Sequence, residues 1–382
     1  MRILVKKNDL MDALRQISSL GISEKLNSDK IKYTDFLFIK QIDNKLVFVF
    51  TDGDKKITIK KDVEIKEPGF CFIPIDKVRI IIDFIKDSET SIDISINKNN
   101  AKISYDKSEF NIPLLDASKF QNFYEDEDAS IIKQFSINGK ELYETLNLVF
   151  YATAKDENRK ALNGVLFDIK DNNLTCVATD GRRLSTVEKH LIEVTGNDGK
   201  VIVSSKDINI LMKFIQKTQK VIISIYENKI SFSLDNETIL DCSFINEIYP
   251  NYKQIIPKEF SSTATVNSSL LMQKLSSILT LNSRSTASKK HTKMCFEGQE
   301  NNKGRLVLSS EDDTGSNITH DLDINYNGEN ISILLNVSFI LDVLSKIQKQ
   351  DIIIEVKDDR NPLKITDKDN SFIYVMMPIS SM

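Results

Sequence analysis

Apolar positions fall at helical spacing in two recurring patterns, with strand-like alternation between them. Leu10, Leu14 and Ile17 follow the run ILV (3–5). Leu142, Leu146 and Val149 follow FSI (135–137), and Leu271, Leu275 and Ile278 follow ATV (264–266). The second pattern reads Val78, Ile81, Ile82, Ile85, then Ile208, Leu211, Met212, Ile215, then Ile340, Val343, Leu344, Ile347. Both follow the i, i+3, i+4, i+7 spacing of a helix that buries one face. The opposite faces read as polar, turned to water or to a charged partner.

The patterns return at a near-constant interval (142 − 10 = 132 and 271 − 142 = 129; 208 − 78 = 130 and 340 − 208 = 132). A solenoid unit is roughly 20–50 residues, so this period is that of a whole domain. Between the helices, FLFIK (36–40) and KLVFVF (45–50) flank a turn at Asp43-Asn44, and Thr51-Asp52-Gly53 follows. GVLFDIK (164–170) and LTCVA (174–178) flank Asp171-Asn172-Asn173, and Thr179-Asp180-Gly181 follows. The third repeat carries MCFEG and RLVLS, with Ser310-Glu311-Asp312 where the Thr-Asp-Gly would stand. After each second helix come two alternating runs, such as VIISIY and KISFSL, the mark of antiparallel strands with one buried face. The expected fold is α+β, in three tandem similar domains at 1–125, 126–254 and 255–382, each with two helices on antiparallel sheet. The acidic run Glu125-Asp126-Glu127-Asp128 and the stretch 251–260, with Pro257, mark the junctions.

Composition narrows the class. The 382 residues, 41% hydrophobic and 28% charged, describe a globular chain long enough for two or three cores. No apolar run approaches the ~20 residues that span a bilayer, so no membrane partner is expected. The start MRILVKKNDL lacks the apolar stretch of a secretory signal. Cys71, Cys176, Cys242 and Cys295 are scattered, which points to a reducing cytoplasmic compartment. A net charge of −4 argues against a wholly basic nucleic-acid binder and leaves room for a basic stripe.

Catalytic chemistry is hard to find. His190, His291 and His320 have no metal-ligand spacing, and no phosphate-cradling or nucleophile motif occurs. Glu311-Asp312-Asp313 has the carboxylates for a divalent ion, but its Ser, Thr and Gly neighbours read as a solvated turn. No catalytic residue, metal or cofactor is expected. Arg182-Arg183-Leu184 stands out, because the first repeat has the Thr-Asp-Gly without it. Two forked donors beside an apolar notch suit a recognition edge. A phosphotransferase arginine pair is the enzymatic alternative, with no nucleophile or base to support it. The end of the chain, Val375-Met376-Met377-Pro378-Ile379, is apolar where fraying usually favours polar residues. Methionine suits a groove that accepts several partners.

ATDGRRLS (178–185), YPNYKQIIP (249–257), LNG (162–164) and YVMMPI (374–379) together resemble the bacterial β sliding clamp, the processivity subunit of DNA polymerase III. The resemblance covers the whole chain. It implies a head-to-tail homodimer closed into a six-domain ring, with helices lining the hole and double-stranded DNA passing through without base readout. It also implies a hydrophobic pocket for extended peptides of the polymerase III α subunit, the clamp loader δ subunit, repair polymerases and other clamp-binding-motif proteins. The pocket wall would be Leu162, Thr179, Gly181, Arg182, Arg183, Leu184, Pro250, Ile255, Pro362, Val375, Met376, Met377, Pro378 and Ile379. Lys77, Lys206, Lys213, Lys217, Lys346 and Lys349 would face DNA, the first three foremost. Phe110 and Ile112 would meet Ile278 and Leu279 of a second copy. Gln254 and Ser380 stand where the family often has basic residues, and Ser381-Met382 runs slightly long. Removing 375–382 is expected to abolish polymerase stimulation and leave the dimer. A peptide-binding scaffold that forms no ring is the alternative.

Overall fold

The computed structural model describes residues 1–20, 33–97, 100–114, 130–156, 158–281, 291–312, 315–347 and 351–379. The periodic stripes form helices α1 (Lys7–Ser18), α2 (Ile75–Phe84), α3 (Gly139–Val149), α4 (Ser205–Ile215), α5 (Ser268–Leu281) and α6 (Val337–Leu344). Leu10, Leu14, Ile17, Val78, Ile82, Leu142, Leu146, Ile208, Leu211, Leu271, Leu275, Ile340 and Val343 are all buried, as the spacing requires. Side chains set several helix starts. Ser204 Oγ accepts from the Asp207 N–H at 3.1 Å, and Asn336 Oδ1 accepts from Ser338 N–H at 2.9 Å.

The outward faces are less polar than expected. Ile80 and Phe84 on α2 are 50% and 69% exposed, and Leu270 and Met272 on α5 are 40% and 37% exposed. The periodicity fixes the buried stripe alone and leaves the other face open to any residue.

The chain divides into two compact units. The first holds Met1–Lys140, Ile192–Asn197 and Asn209–Phe244; the second holds Glu141–Leu191, Asp198–Ile208 and Ile245–Met382. In the first, a five-stranded sheet runs from Glu64–Glu67 through Arg2–Lys6, Ser91–Asn97 and Asn100–Tyr105 to an edge at Ser108–Pro113. A nine-stranded sheet runs from Ile192–Gly196 to Phe70–Pro74. It joins two repeats where Thr238–Cys242 pairs with Lys55–Ile59. In the second unit a twelve-stranded sheet joins the second and third repeats where Arg183–Thr186 pairs with Ile373–Met376. The ladders thus continue from one repeat into the next, and the compact units follow the sheets.

Equivalent strands share one register. Phe38 lies between Val49 and Phe72, as Leu166 lies between Val177 and Ile202. The hairpin between Gly164–Lys170 and Asn173–Thr179 turns on Asp171 and Asn172, at φ 50° and 62°. Asp and Asn tolerate that left-handed region, which a tight hairpin needs.

Candidate partner-docking site

The Thr-Asp-Gly turn is built twice in the same way. Thr179 Oγ1 donates to Arg183 O at 2.6 Å and accepts from Gly181 N–H at 3.1 Å, while Asp180 Oδ1 accepts from Arg183 N–H at 3.1 Å. Thr51 Oγ1 donates to Lys55 O at 2.7 Å, Gly53 N–H donates to Thr51 Oγ1 at 3.1 Å, and Lys55 N–H donates to Asp52 Oδ1 at 2.8 Å. Gly181 at φ 86° and Gly53 at φ 100° adopt backbone that other residues resist. The same scaffold therefore carries Arg182-Arg183-Leu184 in one repeat and Asp54-Lys55-Lys56 in the other.

Arg183 is not the open donor that its sequence position suggested. Its Nε donates to Asp180 Oδ2 at 3.0 Å, Nη1 to Asp342 Oδ2 at 2.5 Å and Nη2 to Tyr151 O at 2.9 Å. Its guanidinium lies 4.3 Å from the Phe339 ring centroid, and the side chain is only 9% exposed. Burial opposes its charge, yet the hydrogen bond to Asp342 and the fields of Tyr374 and Asp180 leave the pKa raised. Arg183 ties the turn to α6 and holds it in place. Arg182 remains exposed.

The terminal run is split by pairing. Ile373–Met376 lies between Arg183–Thr186 and Leu363–Thr366, which buries Val375 and Met376. Beyond it, Met377 N–H donates to Arg182 O at 2.9 Å and Ile379 N–H to Leu334 O at 2.8 Å. These bonds fix the tail while Met377 and Ile379 stay 43% and 38% exposed.

Val375 belongs to an apolar platform with Leu166, Val177, Leu184, Ile202 and Tyr252, with Ala161, Ile245, Tyr249, Ile256 and Ile373 packed against it. Among the expected wall residues, Leu162, Thr179, Leu184, Val375 and Met376 are buried, Leu184 and Val375 within the platform. Gly181, Arg182, Pro250, Ile255, Met377 and Ile379 reach the surface, and Pro362 and Pro378 are half-buried. Leu166, Val177 and Ile202 were missed in the sequence, and Tyr249 and Tyr252 were read there only as part of YPNYKQIIP. The signal for the first three was their place on one face of adjacent strands, in register with Phe38, Val49 and Phe72.

The other anticipated residues distribute as follows. Lys77, Lys206, Lys213 and Lys217 are exposed, and Lys206 and Lys213 share the outer face of α4. Lys77 Nζ sits 3.8 Å from Asp76. Lys346 is half-buried, and Lys349 lies outside the described residues. Phe110 and Ile112 stand on the sheet-edge strand Ser108–Pro113, with Phe110 stacked on Tyr105 at 5.9 Å and Ile112 buried. Ile278 is 0% exposed: it belongs to the buried stripe of α5 and offers no surface to a second copy, which corrects that expectation. Leu279 is half-buried. Among the described residues no group of His, Cys, Asp and Glu is arranged to hold a metal ion.

Residues 136–251 match the central domain of the DNA polymerase III beta subunit, and residues 253–380 match its C-terminal domain. The chain belongs to the DNA polymerase III beta subunit family. The beta sliding clamp of Vibrio cholerae is 26% identical over 396 residues, which cover 99% of this chain and 100% of that protein. The beta sliding clamp of Chlamydia pneumoniae is 23% identical, with 99% of each chain covered. The fold is that of the DNA polymerase III subunit beta from Pseudomonas aeruginosa, with a TM-score of 0.87 at 21% identity and 100% of both chains covered. The beta subunit from Thermotoga maritima gives a TM-score of 0.81 at 23% identity, again over 100% of both chains. Among the described residues no helix is long and apolar enough to cross a membrane.

Proposed function

We propose that this protein is a DNA sliding clamp, a homodimeric ring that encircles duplex DNA and tethers the replicative polymerase. The observation that carries this is end-to-end similarity to proteins named beta sliding clamp, at 99% of this chain and 100% of the V. cholerae relative. In this reading the chain forms three domains at 1–125, 126–254 and 255–382 and acts in the cytoplasm without chemistry of its own. Enclosure holds the ring on DNA, and weak phosphate contacts from Lys77, Lys206, Lys213, Lys217, Lys346 and Lys349 guide sliding. The strand Ser108–Pro113, with Phe110, meets the Leu279 side of a second copy, which hides an open sheet edge.

The same reading makes the surface around Arg182, Pro250, Ile255, Met377 and Ile379 the docking site for extended peptides of the polymerase III α subunit, the clamp loader δ subunit and repair polymerases. A buried apolar platform together with a few exposed apolar and cationic side chains is the composition expected of an interface centre. The test is retention on nicked circular DNA. The loaded protein should stay on the circle and leave once the circle is cut. Equal retention on both would reduce it to an ordinary DNA binder.

A further inference from the structure

A row of polar side chains crosses the second repeat's part of the twelve-stranded sheet, on the face that carries the platform. Lys200 stands opposite Asp168, Asp168 opposite Thr175, and Thr175 opposite Glu188, on four adjacent strands. One row further along the same face, two residues on, come Ile202, Leu166 and Val177, the centre of the apolar platform. A two-residue step in a strand is about 6.6 Å, close to the length of a tyrosine side chain.

Tyr252 spans the two rows. Its ring belongs to the platform with Leu184 and Val375, and its hydroxyl donates to Asp168 Oδ2 at 3.0 Å. Lys200 Nζ lies 3.2 Å from the same carboxylate oxygen, whose side chain is 6% exposed. Lys200 Nζ and Lys253 Nζ stand 6.0 Å and 5.7 Å from the Tyr252 ring centroid. The segment around Tyr252 also packs Ile245, Tyr249 and Ile256 against the platform. Its polar ties to the sheet are Ile245 N–H to Ile202 O at 2.8 Å, Tyr249 OH to Val177 O at 3.4 Å and to the Thr179 backbone, and the Tyr252 side chain to Thr175 beside Asp168. This segment carries Pro250 and Ile255, two of the exposed side chains of the docking surface.

The first repeat repeats the scaffold without this polar row. Phe70, Lys40, Val47 and Lys60 stand where the second repeat has Lys200, Asp168, Thr175 and Glu188, so that row holds no carboxylate. The carboxylate-bearing row therefore accompanies the second repeat and not the sheet as such. A buried carboxylate needs such partners to be tolerated.

We propose that Asp168, Tyr252 and Lys200 form a latch that holds residues 245–256 against the sheet and so sets the wall of the peptide site. This rests on the docking reading above. Asp168 and Lys200 are positioning residues that reach a bound peptide only through Tyr252 and the segment it carries. With the latch open, Pro250 and Ile255 sample positions away from the platform, and a peptide must restore the order that the folded protein otherwise supplies.

The experiment uses the full-length protein and a fluorescein-labelled peptide from the polymerase III α subunit, followed by anisotropy well below the unfolding temperature. Tyr252→Phe keeps the ring and removes the hydroxyl, and should weaken peptide binding about five- to tenfold. Asp168→Ala should do the same, whereas Asp168→Asn keeps an acceptor for the hydroxyl and should bind within about twofold of the unsubstituted protein. Amide exchange at Gln254 and Ile255 should quicken in the first two variants and not in the third. Unchanged affinity in Tyr252→Phe overturns the latch. So does a loss in Asp168→Asn as large as in Asp168→Ala. Failure of the unsubstituted protein to bind removes the docking reading, and the latch with it.

Discussion

Arg182 and Arg183 are adjacent in sequence and differ in almost everything else. Arg182 points to solvent, while Arg183 spends its donors on Asp180, Asp342 and Tyr151. Replacing Arg183 by Ala leaves Asp342 and the Tyr151 carbonyl without their donor and opens space against Phe339. The expected loss is about 2 kcal/mol, below the 3–5 kcal/mol of a fully buried pair because Asp342 is 45% exposed. Arg182→Ala should stay within about 0.5 kcal/mol, and urea midpoints of the two variants decide the matter. Sequence could not separate the two arginines, because the partner that distinguishes them, Asp342, is 159 residues away. A second residue-scale expectation concerns acid. Hydrogen bonding to Arg2 holds the Asp93 carboxyl below its ordinary range, against the opposing effect of burial. The folded chain thus takes up that proton at lower pH than the unfolded chain, whose carboxyl titrates near about 3.9. Their stabilisation is complete above that range and lost as pH falls through the depressed value. Asp93→Asn should lessen the acid sensitivity of unfolding between those limits, and an unchanged pH profile would remove the pair from the account.

The terminal strand shows what an element does to a prediction made from residues. Removal of 375–382 looked like removal of a docking surface, but Val375 and Met376 are interior members of the twelve-stranded sheet, paired on both sides. Cutting there opens the ladder beside Arg183–Thr186 and exposes the platform. The informative cut starts at Met377. It deletes two exposed apolar side chains and the bonds to Arg182 O and Leu334 O, and leaves the strand whole. Such a protein should lose no more than about 2 kcal/mol of unfolding free energy, from the two lost backbone bonds, and lose polymerase stimulation. A collapse of stability would make the tail a structural element. Helices were legible here because one chain segment holds the whole pattern: Leu10, Leu14 and Ile17 imply α1 without reference to anything distant. Sheet order was not. Alternation in KISFSL shows a strand with a buried face and is silent on its neighbours, so the pairing of 238–242 with 55–59 could not be read. The docking surface was half legible. Its motif residues were found, Tyr252 within YPNYKQIIP among them, whereas the bond from the Tyr252 hydroxyl to Asp168, 84 residues away in sequence, emerged only in the fold. An acid inside the apolar run GVLFDIK was the available clue.

At the scale of the whole molecule, enclosure and affinity make opposite claims about salt. A protein held by phosphate contacts loses affinity with a slope of about 0.9 per contact in log–log terms. A closed ring on a circle has no such slope, since it leaves only when an interface opens. The exposed lysines allow the two to be separated. Lys206 and Lys213 share the outer face of α4, are exposed, and serve no described strand ladder or core. Lys206→Ala/Lys213→Ala should therefore load more slowly at low salt and release faster from linear DNA. On a nicked circle at high salt the proposed ring should be retained as long as the unsubstituted protein, because loss of charge would leave a closed loop closed. The measurement is gel filtration of loaded circles, together with a solution mass about twice the 43.5 kDa protomer. Loss from the circle in proportion to the lysines removed would mean that charge holds the protein there. The three repeats would then be a scaffold and not half of a ring.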